Sequence, residues 1–223
     1  HRRCVQFFDP NHLEAPPTGG IREAAGNLQG KSKLRTQGVY LVTGGLGKVG
    51  LVIAELLVKR VKARLIITGR SAFPGKDEWT QWLQTHDQTD PISLKIKKLQ
   101  QLREMGGEVL YFRADAAEEE QMRRVVTQAE TTFGKINGVI HAAGITEGES
   151  TSLINRLTEN NCRIQFIPKV YGTMVLENLF KNEKPDFCWM MSSVSCVLGG
   201  LGLGAYAGAN LFMDIFVKKH NYK

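Results

Sequence analysis

Cysteine is scarce. Cys4, Cys162, Cys188 and Cys196 are the only four in 223 residues, and their spacing matches no metal-ligand pattern. A zinc-stapled or disulfide framework is set aside. Cys188 and Cys196 flank an apolar strand pattern and read as small packing residues, which suits a reduced, cytoplasmic setting. No apolar run is long enough to span a bilayer, and no secretory signal pattern is present. Aromatic residues make up 8% of the chain and are not interleaved with basic ones, so nothing points to nucleic acid. Acidic residues are the minority, 22 against 29 basic, for a formal charge of +7 with local enrichment at Lys95–Lys98. That balance suits a phosphorylated ligand or an acidic partner protein as well as plain surface solvation. An initiating Met is also missing: the chain opens at His1 and closes within the helical pattern Leu211–Lys223. We expect a piece of a longer polypeptide.

What is present has the size of one α/β core. Residues His1–Phe8 suit a short strand, and Asp9–Gln37 is a linker rich in Pro, Gly and polar residues. From Val39 onward strands and helices alternate. Strands are expected at Val39–Thr43, Arg64–Thr68, Glu108–Arg113, Gly138–His141 and Asp186–Ser192. Helices are expected at Lys48–Arg60, with Val49, Ile53, Leu56 and Leu57 on one face, then at Ile92–Met105, Glu118–Phe133, Thr158–Phe180 and Ala205–Lys219. Between them, Ala72–Pro91 reads as a long polar excursion carrying Trp79 and Trp82. Several strands are almost wholly apolar, the mark of a parallel sheet covered on both faces. The fold class is therefore a doubly wound, Rossmann-like α/β sheet. Its ligands bind beyond the carboxyl ends of the strands.

The strongest single signal follows the first strand. Thr43-Gly44-Gly45-Leu46-Gly47 leads to Gly50 and directly into a helix, so Gly45, Gly47 and Gly50 complete G-x-G-x-x-G in its strand–turn–helix context. Glycine lets a pyrophosphate approach the backbone, and the helix N-terminus offers unpaired N–H groups. The second strand ends in Arg70-Ser71, twenty residues past Gly50, where an NAD site usually carries an acid. A guanidinium there favours the 2′-phosphate of NADP(H). Asp115 ends the third strand and either accepts from the adenine amino group or caps the next helix. At the fifth strand's end, Ser192-Ser193 is followed by Tyr206 and Asn210. A Ser and a Tyr at this mouth can bind one carbonyl oxygen, the Tyr delivering a proton as hydride reaches carbon. A free phenol has a pKa near ~10, so a cation must assist, and Lys169 on the preceding helix is the candidate. Taken singly, Ser193, Tyr206 and Lys169 each also suit an ordinary structural role.

These residues, from Gly38 to the end, resemble the short-chain dehydrogenase/reductase superfamily, and within it the ketoreductase domains of modular type I polyketide synthases. The motifs are Leu41-Val-Thr-Gly-Gly-Leu-Gly, Thr68-Gly-Arg-Ser, Gly138-Val-Ile-His-Ala-Ala-Gly, Pro168-Lys-Val-Tyr-Gly, and Ser192-Ser193 through Tyr206-Ala-Gly-Ala-Asn210. Most of the superfamily has Tyr-x-x-x-Lys. Here Asn210 stands four after Tyr206 and the lysine lies 37 residues earlier at Lys169, the exchange that typifies the synthase ketoreductases. The resemblance implies a tetrad of Ser193, Tyr206, Lys169 and Asn210: Tyr206 gives the proton, Ser193 is the second oxyanion partner, Lys169 binds the nicotinamide ribose and makes Tyr206 a better acid, and Asn210 positions the relay. It implies NADPH held by Thr43, Gly44, Gly45, Leu46, Gly47, Gly50, Arg70, Ser71, Asp115, Ala116 and His141, Ala142, Ala143, Gly144. The implied reaction reduces a β-ketoacyl thioester carried on an acyl carrier protein. Other domains of a parent synthase are implied partners, and no nucleic acid, membrane or metal is. Residues 1–37 would come from a preceding structural half, His1–Phe8 resembling its last strand, and 38–223 would form an NADP(H)-binding catalytic domain cut short before the lid helix.

The chain departs from the family in three respects. Lys48 replaces a glycine common in the superfamily, and Ile145–Thr151 lacks the Leu-Asp-Asp signature of one stereochemical class. Leu198 stands where the opposite class has Trp. Loss of the Asp leans towards an L-hydroxyl product.

Overall fold

The structure is a computed structural model that describes residues 33–145 and 152–221. The expected strand at His1–Phe8, most of the linker and most of the Ile145–Thr151 stretch lie outside the described residues.

Five strands form one parallel sheet in the order β3-β2-β1-β4-β5. They are β1 Val39–Thr43, β2 Arg64–Gly69, β3 Glu108–Arg113, β4 Gly138–His141 and β5 Phe187–Met190. The apolar runs make this arrangement: alternate side chains of one strand bury on opposite faces. Tyr40, Val42, Leu65 and Ile67 point into one core, with Ile53, Leu57 and Val58 of helix α1 (Lys48–Val61) and Ile96, Leu99 and Leu102 of α3 (Pro91–Glu104). Val39, Leu41, Ile66 and Val139 point into the other, with Met122, Val125 and Ala129 of α4 (Glu119–Phe133) and Val175 and Leu176 of α6 (Gly172–Leu179). The chain winds outward from β1 to β3, returns through α4 and continues from β4 to β5. The expected doubly wound Rossmann-like fold is what forms, and its switch point falls between β1 and β4.

Local outcomes differ from the sequence reading in four places. On α1 the buried face is Gly50, Ile53, Ala54, Leu57 and Val58, while Val49 and Leu56 are exposed. The small residues Gly50 and Ala54 draw the helix onto the sheet along their own azimuth and turn those two outward. The polar excursion contains a 3₁₀ turn, Lys76–Glu78, and helix α2, Trp79–Thr85. It is organised by its two tryptophans. Trp79 is buried, donates to the Pro74 carbonyl at 3.0 Å and lies under the Arg103 guanidinium. Trp82 donates to Asp90 Oδ2 at 3.2 Å, the same oxygen that caps α3 by accepting from Ser93 N at 2.7 Å.

The helix expected at Thr158–Phe180 is α5 (Glu159–Phe166), a π-turn at Ile167–Tyr171 and then α6. Pro168 has no N–H to donate within it, and Thr158 caps its start through Asn161 N at 3.2 Å. Finally, β5 stops at Met190, so Met191–Ser193 leave the sheet and enter a short helix α7 (Ser195–Leu198) before α8 (Gly204–Asn221). Among the described residues, no helix is long and apolar enough to cross a membrane.

Candidate active site

The site grows out of the turn between β1 and α1. Gly44 has φ +65°, a left-handed conformation that glycine takes without strain, and a Cβ there would stand 2.7 Å from Ala143 Cα. Only a glycine lets the first turn and the loop after β4 meet backbone to backbone. A Cβ on Gly50 would come 2.6 Å from Gly45 Cα, so Gly50 lowers α1 onto the turn. Gly45 N donates to Thr68 O at 3.2 Å, tying the turn to β2. A Cβ on Gly47 would meet only Gly44 O, at 3.1 Å. Gly47 is also the N-cap of α1, contributes no side-chain cap, and is followed by no acid in the first turn. The end of α1 therefore presents backbone N–H groups and positive dipole without an internal anion, which fits a dinucleotide pyrophosphate.

A cleft of about 450 Å³ runs from this turn across the carboxyl ends of the strands. Gly44, Leu46 and Gly47 line it at β1, Arg70 and Ser71 at β2, Asp115 and Ala116 at β3, and Ala142, Ala143 and Gly144 at β4. These ten candidate positions meet at one cavity, although they come from four different loops. Thr43, Gly45, Gly50 and His141 lie outside that lining and shape it from beneath. The Thr43 hydroxyl and His141 Nδ1, both buried, hydrogen bond at 2.7 Å and tie the ends of β1 and β4 together. Arg70 is exposed, and its carbonyl accepts from Arg113 Nε at 3.1 Å. The Tyr111 hydroxyl bridges the Gly69 and Ser71 carbonyls at 3.1 and 2.8 Å and pins that loop. Asp115 Oδ1 accepts from Ala117 N at 3.0 Å, so one carboxylate oxygen closes the turn before α4.

The sequence reading missed part of the wall. Phe73, Ile92, Lys95 and Tyr111 also line the cleft. The signal was present in the basic enrichment at Lys95–Lys98 and in the helical spacing that sets Lys95 one turn after Ile92.

None of the four chemical residues Lys169, Ser193, Tyr206 and Asn210 lines the cleft itself; Lys169 adjoins its lining through Pro168 and Gly144. A Cβ on Gly144 would stand 3.1 Å from Lys169 Cε, so that glycine gives the lysine its room. The π-turn carries Lys169 inward: the side chain is buried, and its Nζ donates to Met191 O at 3.1 Å and lies 5.5 Å from the centroid of the Tyr206 ring. Burial pushes the Lys169 ammonium down to about 8. One turn beyond Tyr206, Asn210 is fully buried in α8 and donates from Nδ2 to the Tyr206 carbonyl at 2.8 Å. Its Oδ1 has no hydrogen-bond partner among the described residues. Ser193 lies in the turn that brings Met191 to Lys169, and its Oγ accepts from Ser195 N at 3.2 Å. The structure thus joins Lys169, Tyr206 and Asn210 by contact, with Ser193 on the adjoining turn.

The KR domain family matches residues 38–223. The chain belongs to that family. These are the ketoreductases of polyketide synthases, within the short-chain dehydrogenase/reductase superfamily. The domain is 39% identical over 190 residues to Polyketide synthase PksM of Bacillus subtilis, covering 85% of this chain and 4% of that protein. A solved N-terminal ketoreductase from the macrolactin assembly line is 35% identical, with TM-score 0.69 over 83% of this chain and 34% of that one. A ketoreductase domain from the bacillaene assembly line is 32% identical, with TM-score 0.69 over 83% and 40% of the two chains. This chain therefore spans a small fraction of the synthases it matches, which are multidomain proteins. KR domains are oxidoreductases of a superfamily that uses nicotinamide cofactors.

One further buried group lies near Lys169. His141 is 1% exposed, and burial followed by the nearby Lys169 charge pushes its imidazole down to about 4. A Cβ on Gly172 would lie 2.9 Å from its Cε1, so the start of α6 packs directly on the ring. Neutral His141 adds no charge beside the lysine. Among the described residues, no cluster of side chains is suited to a metal ion.

Proposed function

We propose that this KR domain reduces the ketone of a β-ketoacyl thioester, carried on an acyl carrier protein, to the β-hydroxyacyl product with NADPH. The observation that carries the reading is the buried Lys169 ammonium against the Tyr206 ring, with Asn210 on the Tyr206 carbonyl. Lysine one helix earlier and asparagine one turn later are the arrangement of a synthase ketoreductase.

Gly44–Gly47 and the α1 N-terminus would hold the pyrophosphate, Arg70 and Ser71 the 2′-phosphate, and Asp115 the adenine amino group. Thr43, Gly45, Gly50, Ala116 and His141 would support that cradle, and Ala142–Gly144 would help hold the cofactor after β4. When bound, the reduced nicotinamide supplies the hydride. Tyr206 gives its hydroxyl proton to the substrate oxygen, so the ketone gains one hydride and one proton. Lys169, charged over the ring, stabilises the phenolate left behind. Because the Ser193 hydroxyl already accepts from Ser195 N, its own proton is free to donate to the same substrate oxygen. Asn210 Oδ1 offers an acceptor to a water that reprotonates the tyrosine.

The test is NADPH consumption by the full polypeptide with a short β-ketoacyl thioester and with the same acyl group on a carrier protein. We expect Tyr206→Phe to lose at least about a hundredfold in turnover while its NADPH affinity stays within about twofold. Unchanged turnover would refute the mechanism. Binding of NADPH without consumption of any ketoacyl substrate would point instead to a structural or docking role. Chiral analysis of the hydroxyacyl product tests the expected L configuration.

A further inference from the structure

We propose that Lys95 is a second cation for the 2′-phosphate, acting with Arg70, and that NADPH is preferred over NADH by the pair and not by Arg70 alone. The inference rests on the dinucleotide reading above and adds a residue from a different element.

Among the described residues lining the cleft, Arg70 and Lys95 are the only cations and Asp115 the only anion. The Asp115 carboxylate is partly committed to the Ala117 amide. Lys95 lines the cleft from α3 together with Ile92, and Arg70, Ser71, Phe73 and Tyr111 line the same cleft. It is half-buried, and no carboxylate lies within ion-pair distance of its ammonium among the described residues. Its basic neighbours on the helix differ. Lys98 pairs with Glu55 at 2.5 Å, and Lys97 faces Asp87. Of the local run of lysines, Lys95 is the one that lines the cleft.

The placement is rigid. Asp90 caps α3, Pro91 opens it, and Ile96, Leu99 and Leu102 bury its inner face. The Asp90 charge is itself engaged by Ser93 N and Trp82 Nε1 and does not reach across to neutralise Lys95. Arg70, being exposed, is screened by solvent, and one such contact gives limited discrimination. A half-buried second cation lining the same cleft raises the field at the phosphate. A ligand with one extra dianionic group beside its adenine ribose is what this pair would select.

The test measures equilibrium binding of NADPH and NADH, by quenching of protein fluorescence, to the full chain and to its Lys95→Gln, Lys95→Arg and Arg70→Ala variants. Loss of one charge-assisted contact predicts about a tenfold weaker NADPH affinity in Lys95→Gln, with NADH changed by less than about twofold. Lys95→Arg should recover most of the loss, which a purely structural role would not require. Equal changes for the two cofactors, or none for NADPH, would overturn the proposal. If Arg70→Ala discriminates against NADPH and Lys95→Gln does not, this inference alone falls. If the unsubstituted chain binds both cofactors equally, the 2′-phosphate assignment of Arg70 falls with it.

Discussion

Raising the pH should switch this site off at a point that the lysine sets. Lys169 is 4% exposed, and burial moves its ammonium from 10.5 to about 8. That shift corresponds to about 3 kcal/mol against the charged form. The role assigned to Lys169 requires its charge. The active fraction is therefore close to one at pH 7, one half near pH 8, and falls about tenfold for each further unit. An ordinary surface lysine would keep its charge for more than two further units. The assay is kcat/KM for NADPH across pH 6.5 to 10 at saturating thioester, since kcat/KM reports groups of the free enzyme. The control is Lys169→Arg, whose guanidinium stays protonated throughout. Its rate at pH 7 should be lower because the longer side chain does not fit beside Gly144, but its alkaline limb should vanish. A wild-type profile flat to pH 10 would refute the reasoning. So would an identical limb in Lys169→Arg, which would assign the titration to another group. The sign for stability is opposite to the sign for activity. A folded pKa below the unfolded one means the folded state holds fewer protons, so the contribution of Lys169 rises with pH between about 8 and 10.5 while the rate falls.

His141 gives a second pH test, at the acid end. Its folded pKa of about 4 against 6.5 unfolded means its stabilising contribution is complete above pH 6.5 and is lost as pH falls towards 4. Urea unfolding should show up to about 3 kcal/mol lost across that window. In His141→Gln the chain should start lower at pH 7 but show a shallower acid slope, and an equally steep slope would assign the loss to other groups. Gly50→Ala should lower Tm and weaken NADPH binding together, because the added methyl meets the Gly45 and Gly44 backbone at 2.6 and 2.7 Å and lifts α1 from the turn. Retained cofactor affinity in Gly50→Ala would show that the phosphate cradle does not depend on that contact.

Much of the architecture is set within short stretches of chain. Val39–Thr43, Arg64–Thr68 and Gly138–His141 are apolar strand patterns whose expected ends lie within a residue of the observed ones, because a strand buried on both faces needs an unbroken apolar run. The first turn was legible because a left-handed Gly44 and the close approach at Gly50 admit glycine alone. From those elements, the sheet and the placing of ligands at its carboxyl edge follow. The exchange of Lys169 and Asn210 is legible in the sequence alone and points to the ketoreductase family that the KR match shows.

The tertiary structure decided the rest, where the outcome depends on partners distant in the chain. Helical spacing groups Val49 and Leu56 with Ile53, but the azimuth of α1 is fixed by how closely Gly50 and Ala54 let it approach the sheet, so those two face solvent. Helix α2 has seven residues, too short for a 3.6-residue period to emerge, and it is held by Trp79 and Trp82 contacts with Pro74 and Asp90. The basic enrichment and helical spacing around Lys95 were visible in the sequence, but that it lines the cleft was not, because the direction it faces depends on α3 packing against β3 and α1. Lys169 meets Tyr206 only because a π-turn around Pro168 and the turn after β5 bring them together across a separation of 37 positions. Local pattern chose the elements and their order; the low-dielectric interior formed when they pack is what lowers the Lys169 pKa.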